Sequence, residues 1–261
     1  MTPGAALLWF GAVLLPLSGL ATGWLAGRFV RGPLCPILTR LPPRAYLPLG
    51  VGVGLAFMVG FPAVAQLPLQ WLWTGSIPSE DARSTCAAMV TTTAGELAAI
   101  TWAATLGLPL GFRSVPPRHY AEAGLLAVAA VTLSASWTLA VERLGFGPTS
   151  QRAGELVGLV GDPGARTLAI VFILVTAPIL EETLFRGILY DLVDRRRGRQ
   201  AAILWTGLLF GLLHAADPVA VPVLVCFGWG LGWLRAHSGG TRATWWAHVL
   251  NNTVGVVALL S

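Results

Sequence analysis

Residues 178–190, PILEETLFRGILY, place Glu181, Glu182 and Arg186 in a run otherwise apolar enough for a lipid bilayer. An ionisable side chain at the bilayer centre costs roughly 2.5–3.5 kcal/mol on insertion scales, so such groups mark a partner or a function. Glu182 and Arg186 stand at i, i+4, the spacing of an ion pair on one helix face. Glu181 lies about 100° further round the helix and is free to face something else. Pro178 has no N–H for the carbonyl of Leu174, which predicts a kink just ahead of the carboxylates. Two later apolar segments carry further polar groups. LLFGLLHAA sets Phe210 and His214 four residues apart, and WWAHVLNNTVG sets His248 and Asn252 four residues apart. Glu96, in TAGELAAI, is a further acid in apolar surroundings and is expected outside the site.

These residue types suit one chemistry. A carboxylate in apolar surroundings is a stronger base. Glu181 can take a proton from water, with His214 orienting that water or sharing the proton. His248 and Asn252 can donate to a developing oxyanion, a donor of that kind being worth about 3 kcal/mol. Glu182 and Arg186 then hold the helix, and Phe210 forms a packing wall. Hydrolysis of a peptide bond is the natural outcome. Glu181, His214 and His248 also form a ligand set for a divalent metal such as zinc. HExxH is absent, and no cofactor is demanded by these residues.

The elements that must position them are helices in a membrane. Of 261 residues, 55% are hydrophobic and 11% charged, about half the charged fraction of a soluble domain. Apolar windows predict an all-α, polytopic transmembrane bundle of about eight spans: 5–27, 46–70, 87–111, 121–141, 167–190, 201–216, 218–235 and 242–260. The whole chain reads as one membrane domain, with residues 167–260 as the core that carries the chemistry. All 17 cations are arginines. Most lie in the loops after spans one, three, five and seven, which predicts those loops in the cytoplasm and both termini outside. Basic residues placed this way signal orientation and exclude nucleic-acid binding as a function. The first apolar run lacks a basic leader and reads as a retained span. Trp71, Trp73, Trp233, Trp245 and Trp246 fall near span ends, as interfacial anchors do. Residues 143–166 read as an external loop with a short surface helix. The glycines of GWGLG, 228–232, and the pair Gly207 and Gly211 read as helix-packing positions. Cys35, Cys86 and Cys226 lack metal-site spacing and read as packing residues, while His119 and His237 read as solvated loop residues.

Depth supports convergence. Glu182 and His214 are each sixteen residues from Gly198, so an antiparallel hairpin sets them at one level. Glu182 lies nine residues from Asp191 at its loop edge, and His248 nine residues from Gly239, about 13 Å in each case.

With EExxxR (Glu181, Glu182, Arg186), FxxxH (Phe210, His214) and HxxxN (His248, Asn252) in order on separate spans, the sequence resembles the CPBP family of intramembrane proteases. That family includes type II CAAX prenyl endopeptidases and bacteriocin-processing or immunity homologues. The resemblance covers about residues 167–256. It implies that Glu181 and His214 activate water and that His248 and Asn252 stabilise the oxyanion, in a glutamate-dependent protease. It also implies a membrane-associated peptide or protein as substrate: a prenylated C-terminus, a bacteriocin leader or a C-terminal sorting tail. The lysine-free composition points to a GC-rich bacterium and its cytoplasmic membrane, and so to a secreted-peptide or sorting substrate. Two other classes compete. A proton- or metal-coupled transporter would also use intramembrane Glu, His and Arg, but no inverted repeat pairs the halves of the chain. A non-catalytic scaffold would keep the fold and the site.

Overall fold

The computed structural model describes residues 3–32, 43–77, 79–145, 163–215 and 217–260. Among them the secondary structure is helical, with no strand. Eight helices follow in order: α1 Pro3–Arg31, α2 Pro43–Leu72, α3 Glu80–Thr105, α4 Arg118–Arg143, α5 Pro163–Arg197, α6 Arg199–Leu212, α7 Val221–Ser238 and α8 Arg242–Leu260. Each expected span has its helix. Four segments are long and apolar enough to cross a membrane: Gly11–Arg31, Gly52–Leu72, Arg118–Arg143 and Pro163–Arg197. The other four helices fall short of that test. At 14 residues, α6 rises only ~21 Å against a hydrocarbon core of ~30 Å. α7 and α8 carry Arg235, His237, Arg242 and His248 within their bounds.

The chain divides into two compact units. The first comprises residues 1–109 and 155–180. Here α1 and α2 pack on α3, which also meets the start of α5. α3 begins at Ser79, whose hydroxyl accepts from the Ala82 N–H, and opens with Glu80 and Asp81, favourable charges at a helix N-terminus. Its buried face is rich in alanine, and a Cβ on Gly19 or Gly23 of α1 would collide with its carbonyls at Ala94 and Ala98. Close backbone approach of this kind replaces hydrophobic driving force between membrane helices. Trp73 is wholly buried here among Leu69, Ile77 and Cys86, so it is a core residue and not an interfacial anchor. Trp71, by contrast, is 81% exposed. Glu96 is buried in α3 of this unit.

The second unit comprises residues 110–154 and 181–261 and holds α4, the second half of α5, and α6 to α8. α6 packs along α7, and α4 packs on both α7 and α8. The α6–α7 contact is a glycine seam: Gly207 meets Gly228 and Trp229, Gly211 meets Val221 and Val225, and Gly232 meets Ile203. The expected packing role of these glycines is thereby met. The link between α5 and α6 is the single residue Gly198, at φ 83° and ψ 167°. The arginines that precede it belong to α5. Between α3 and α4 the chain is non-helical, and the Gly111 carbonyl accepts from the Thr241 N–H at the start of α8, 3.0 Å away. His119 is 4% exposed and contacts Glu122 at 2.8 Å, so it is a buried partner of a carboxylate and not a solvated residue. The loop expected at 143–166 falls largely outside the described residues, as does Cys35.

Candidate active site

The site begins with an interruption of α5. Pro178 leaves the Leu174 carbonyl without its usual donor. The helix responds by widening to a π-helix over Phe172–Thr176, where the Ala177 N–H reaches back to Phe172. A second π segment follows at Thr183–Leu189, ending with the Tyr190 N–H bonded to Phe185. The expected kink therefore takes the form of two π segments flanking one α-helical turn, Ala177–Glu182, which bears both carboxylates. Such insertions are uncommon and often accompany functional sites.

Glu182 and Arg186 form the predicted pair. Arg186 Nη1 donates to Glu182 Oε1 at 3.1 Å, with side chains 1% and 0% exposed. Arg186 Nη2 donates to the Gly228 carbonyl of α7 at 3.1 Å. Its Cζ lies 4.7 Å from the centroid of the Phe210 ring. A buried guanidinium thus gains a carboxylate, a carbonyl and an aromatic face, the partners that offset its desolvation.

Glu182 Oε1 has a second donor. His248 Nδ1 lies 3.1 Å away, and since an ionised carboxylate only accepts, the proton belongs to Nδ1. The other ring nitrogen, Nε2, lies 4.0 Å from Glu181 Oε2. That separation is too long for a direct hydrogen bond and suits a bridging water. Glu181 Oε2 is buried and has no hydrogen-bond partner, while its side chain as a whole is 17% exposed. Adjacent carboxylates thus occupy different settings: Glu182 is sealed and engaged, and Glu181 is accessible with an oxygen uncommitted.

His214 falls just past the last residue of α6, in a turn, and not within a helix as expected. Its Nδ1 lies 2.8 Å from the Phe210 carbonyl. A carbonyl cannot donate, so Nδ1 carries the proton and Nε2 presents a lone pair. Phe210, 1% exposed, is the hub. Its ring centroid lies 5.1 Å from that of His214, 5.8 Å from His248 and 5.5 Å from Phe185. Phe227 closes on His248 from α7 at 5.7 Å. Asn252 lies one turn beyond His248, where its Oδ1 accepts from Asn251 Nδ2 at 3.3 Å. Arg186, His214 and His248 thus meet the ring of Phe210, Glu182 joins Arg186 to His248, Glu181 lies on the far side of the His248 ring, and Asn252 follows His248 by one turn of the same helix.

Sequence reasoning missed three parts of this arrangement. It did not foresee that Glu182 also binds His248, that the Gly228 carbonyl completes Arg186, or that Phe227 walls His248. Only the last leaves a trace in the sequence, an aromatic in an apolar helix, and that is too common to single out. Among the described residues no group of three or more His, Cys, Asp or Glu side chains is placed to hold a metal ion.

Residues 163–254 match the family model described as type II CAAX prenyl endopeptidase, Rce1-like. That segment contains every residue of the site, and the family read from the three motifs is the one it matches. No curated protein and no solved structure matches the chain. Residues 163–254 are thus similar to a family of membrane peptidases, and four helices of the chain are long and apolar enough to cross a bilayer.

Proposed function

We propose that the chain is an intramembrane endopeptidase that hydrolyses a peptide bond of a membrane-associated protein or peptide, with water activated by Glu181. The observation that carries this reading is the division of labour between neighbouring carboxylates. Glu182 is held by Arg186 and His248, whereas Glu181 Oε2 faces His248 Nε2 across 4.0 Å with no partner of its own. A water between them would be held by an acceptor that can remove its proton.

The steps use protein groups alone. Glu181 takes a proton from water as the oxygen attacks the scissile carbonyl. His214 Nε2, a free lone pair, accepts from that water and sets its direction. The carbonyl oxygen gains negative charge, and the Asn252 amide donates to it. His248, its ring fixed by the Nδ1 contact with Glu182, presents Nε2 to the oxyanion as the second group that stabilises it. Glu181 then returns its proton to the leaving amine, and the peptide bond breaks. The substrate we favour is a secreted peptide or a C-terminal sorting tail, in a bacterial cytoplasmic membrane.

The test is a peptidase assay on the purified chain in lipid vesicles, with a panel of prenylated, leader and sorting-tail peptides. Glu181→Gln and His214→Ala should each lower kcat by about 10²–10⁴. Cleavage by Glu181→Gln at the wild-type rate would overturn the mechanism, and no cleavage of any peptide by the wild type would overturn the function.

A further inference from the structure

Arg235 belongs to none of the three motifs, and it lies in α7, the helix that carries none of them. Yet it is buried, at 6% exposed. Its Nε–H donates to the backbone carbonyl of Arg186 at 2.8 Å. Its Nη2 donates to Asp191 Oδ1 at 2.7 Å, and its Cζ lies 5.2 Å over the Tyr190 ring. Arg186 lies inside the second π segment, and Tyr190 and Asp191 immediately follow it. One guanidinium therefore ties the interior of that segment to the α-helix beyond it.

Gly228, the acceptor for Arg186 Nη2, is also on α7. It precedes Arg235 by seven residues, two helical turns, so both stand on one face about 10 Å apart. α7 thus grips Arg186 at both ends. Gly228 takes its side chain and Arg235 takes its main chain. If the π segment relaxed to α geometry, one residue would leave the turn, and the helix before it would rotate by about 100° relative to the helix after it. Glu182 and Arg186 could not then keep their present bonds to His248 and Gly228.

We propose that Arg235 is a positioning residue for hydrolysis, fixing the π-helical register of Thr183–Leu189 and through it Glu182, Arg186 and His248. This rests on the reading of the site as hydrolytic. A rival role is the charge of a cavity of about 230 Å³ that Arg235 lines together with Arg113, Asp194, Arg195 and Arg199. Arg199 separates the two roles: it shares the cavity, and no hydrogen bond ties it to the π segment.

The experiment compares kcat and KM, per folded molecule, for the full chain in vesicles carrying Arg235→Gln, Arg235→Lys, Asp191→Asn or Arg199→Gln. Arg235→Gln should lower kcat at least tenfold with KM within about twofold. Lysine keeps the charge but lacks the fork that reaches carbonyl and carboxylate together, so Arg235→Lys should not restore kcat. Asp191→Asn should give a smaller loss, and Arg199→Gln none. Wild-type kcat in Arg235→Gln or Arg235→Lys, or an equal loss in Arg199→Gln, overturns the proposal. If Arg235→Gln fails to fold, Arg235→Lys and Asp191→Asn decide. The ring ¹⁵N signals of His248 give a readout that needs no substrate. They should move in the Arg235 variants and stay in Arg199→Gln, and unmoved signals overturn the proposal even if the wild type cleaves nothing. An inactive wild type with moved signals sinks the hydrolytic reading while the positioning of His248 stands.

Discussion

Glu181 and Glu182 are neighbours in sequence, and their substitution should have different consequences. Glu182→Gln leaves Arg186 as a buried cation without its carboxylate, a loss of about 3–5 kcal/mol for a broken buried pair. It also releases His248. Thermal denaturation should show a large fall in stability, and the assay a fall in kcat. Glu181→Gln should lower kcat with little change in the melting transition, because no ion pair closer than 4.0 Å depends on that side chain. Equal melting temperatures for the two variants would contradict the separation of roles. The Glu182–Arg186 pair was readable from sequence because i, i+4 is local geometry. The Glu182–His248 bond was not, because it joins residues 66 apart and depends on which way two helices face. Counting residues compares distances along each helix and says nothing about azimuth. His119 misled for a related reason: its place in a loop between apolar windows suggested solvent, and the fold buries it against Glu122.

At the scale of the element, the order of the eight helices was legible, since hydrophobic windows and arginine-rich breaks are strong signals. The π segments of α5 were not, because a single widened turn leaves no periodic mark. Proline announced the disturbance without specifying its form. The glycine seam between α6 and α7 was legible as a GxxxG spacing, and it supports a quantitative expectation. Gly207→Ala should gain roughly 0.5–1 kcal/mol in helix propensity. The added Cβ, however, would meet the Trp229 side chain and the Gly228–Trp229 backbone. Overpacking against backbone costs about 1–3 kcal/mol, so the net effect should be destabilising. Gly124→Ala, with nothing within 4 Å, should be neutral or stabilising. Melting curves of the two variants decide the comparison, and a stabilised Gly207→Ala would mean that the helices can separate at no cost.

At the scale of the molecule, membrane residence follows from the four bilayer-length helices, whereas the expected eight crossings do not follow from length and composition. Short α6 shows why. A window of hydropathy averages across its loops, while the helix ends at Leu212 and leaves His214 in a turn. The arginine bias predicts that the junction of α5 and α6 lies on the cytoplasmic side. In a variant lacking the native cysteines, Arg196→Cys should react with an impermeant maleimide in inverted vesicles and resist it in right-side-out ones. The opposite pattern would reverse the proposed orientation. That junction has one further property. Written out, DRRRGRQ looks like an open invitation to trypsin, with four cleavable bonds within seven residues. Folded, it is helix on both sides of a single glycine, and a protease must unwind several residues to thread them through its cleft. In mild detergent the arginine run should therefore outlast the rest of the polar chain during brief digestion, and early scission there would report that the helical ends had already come apart.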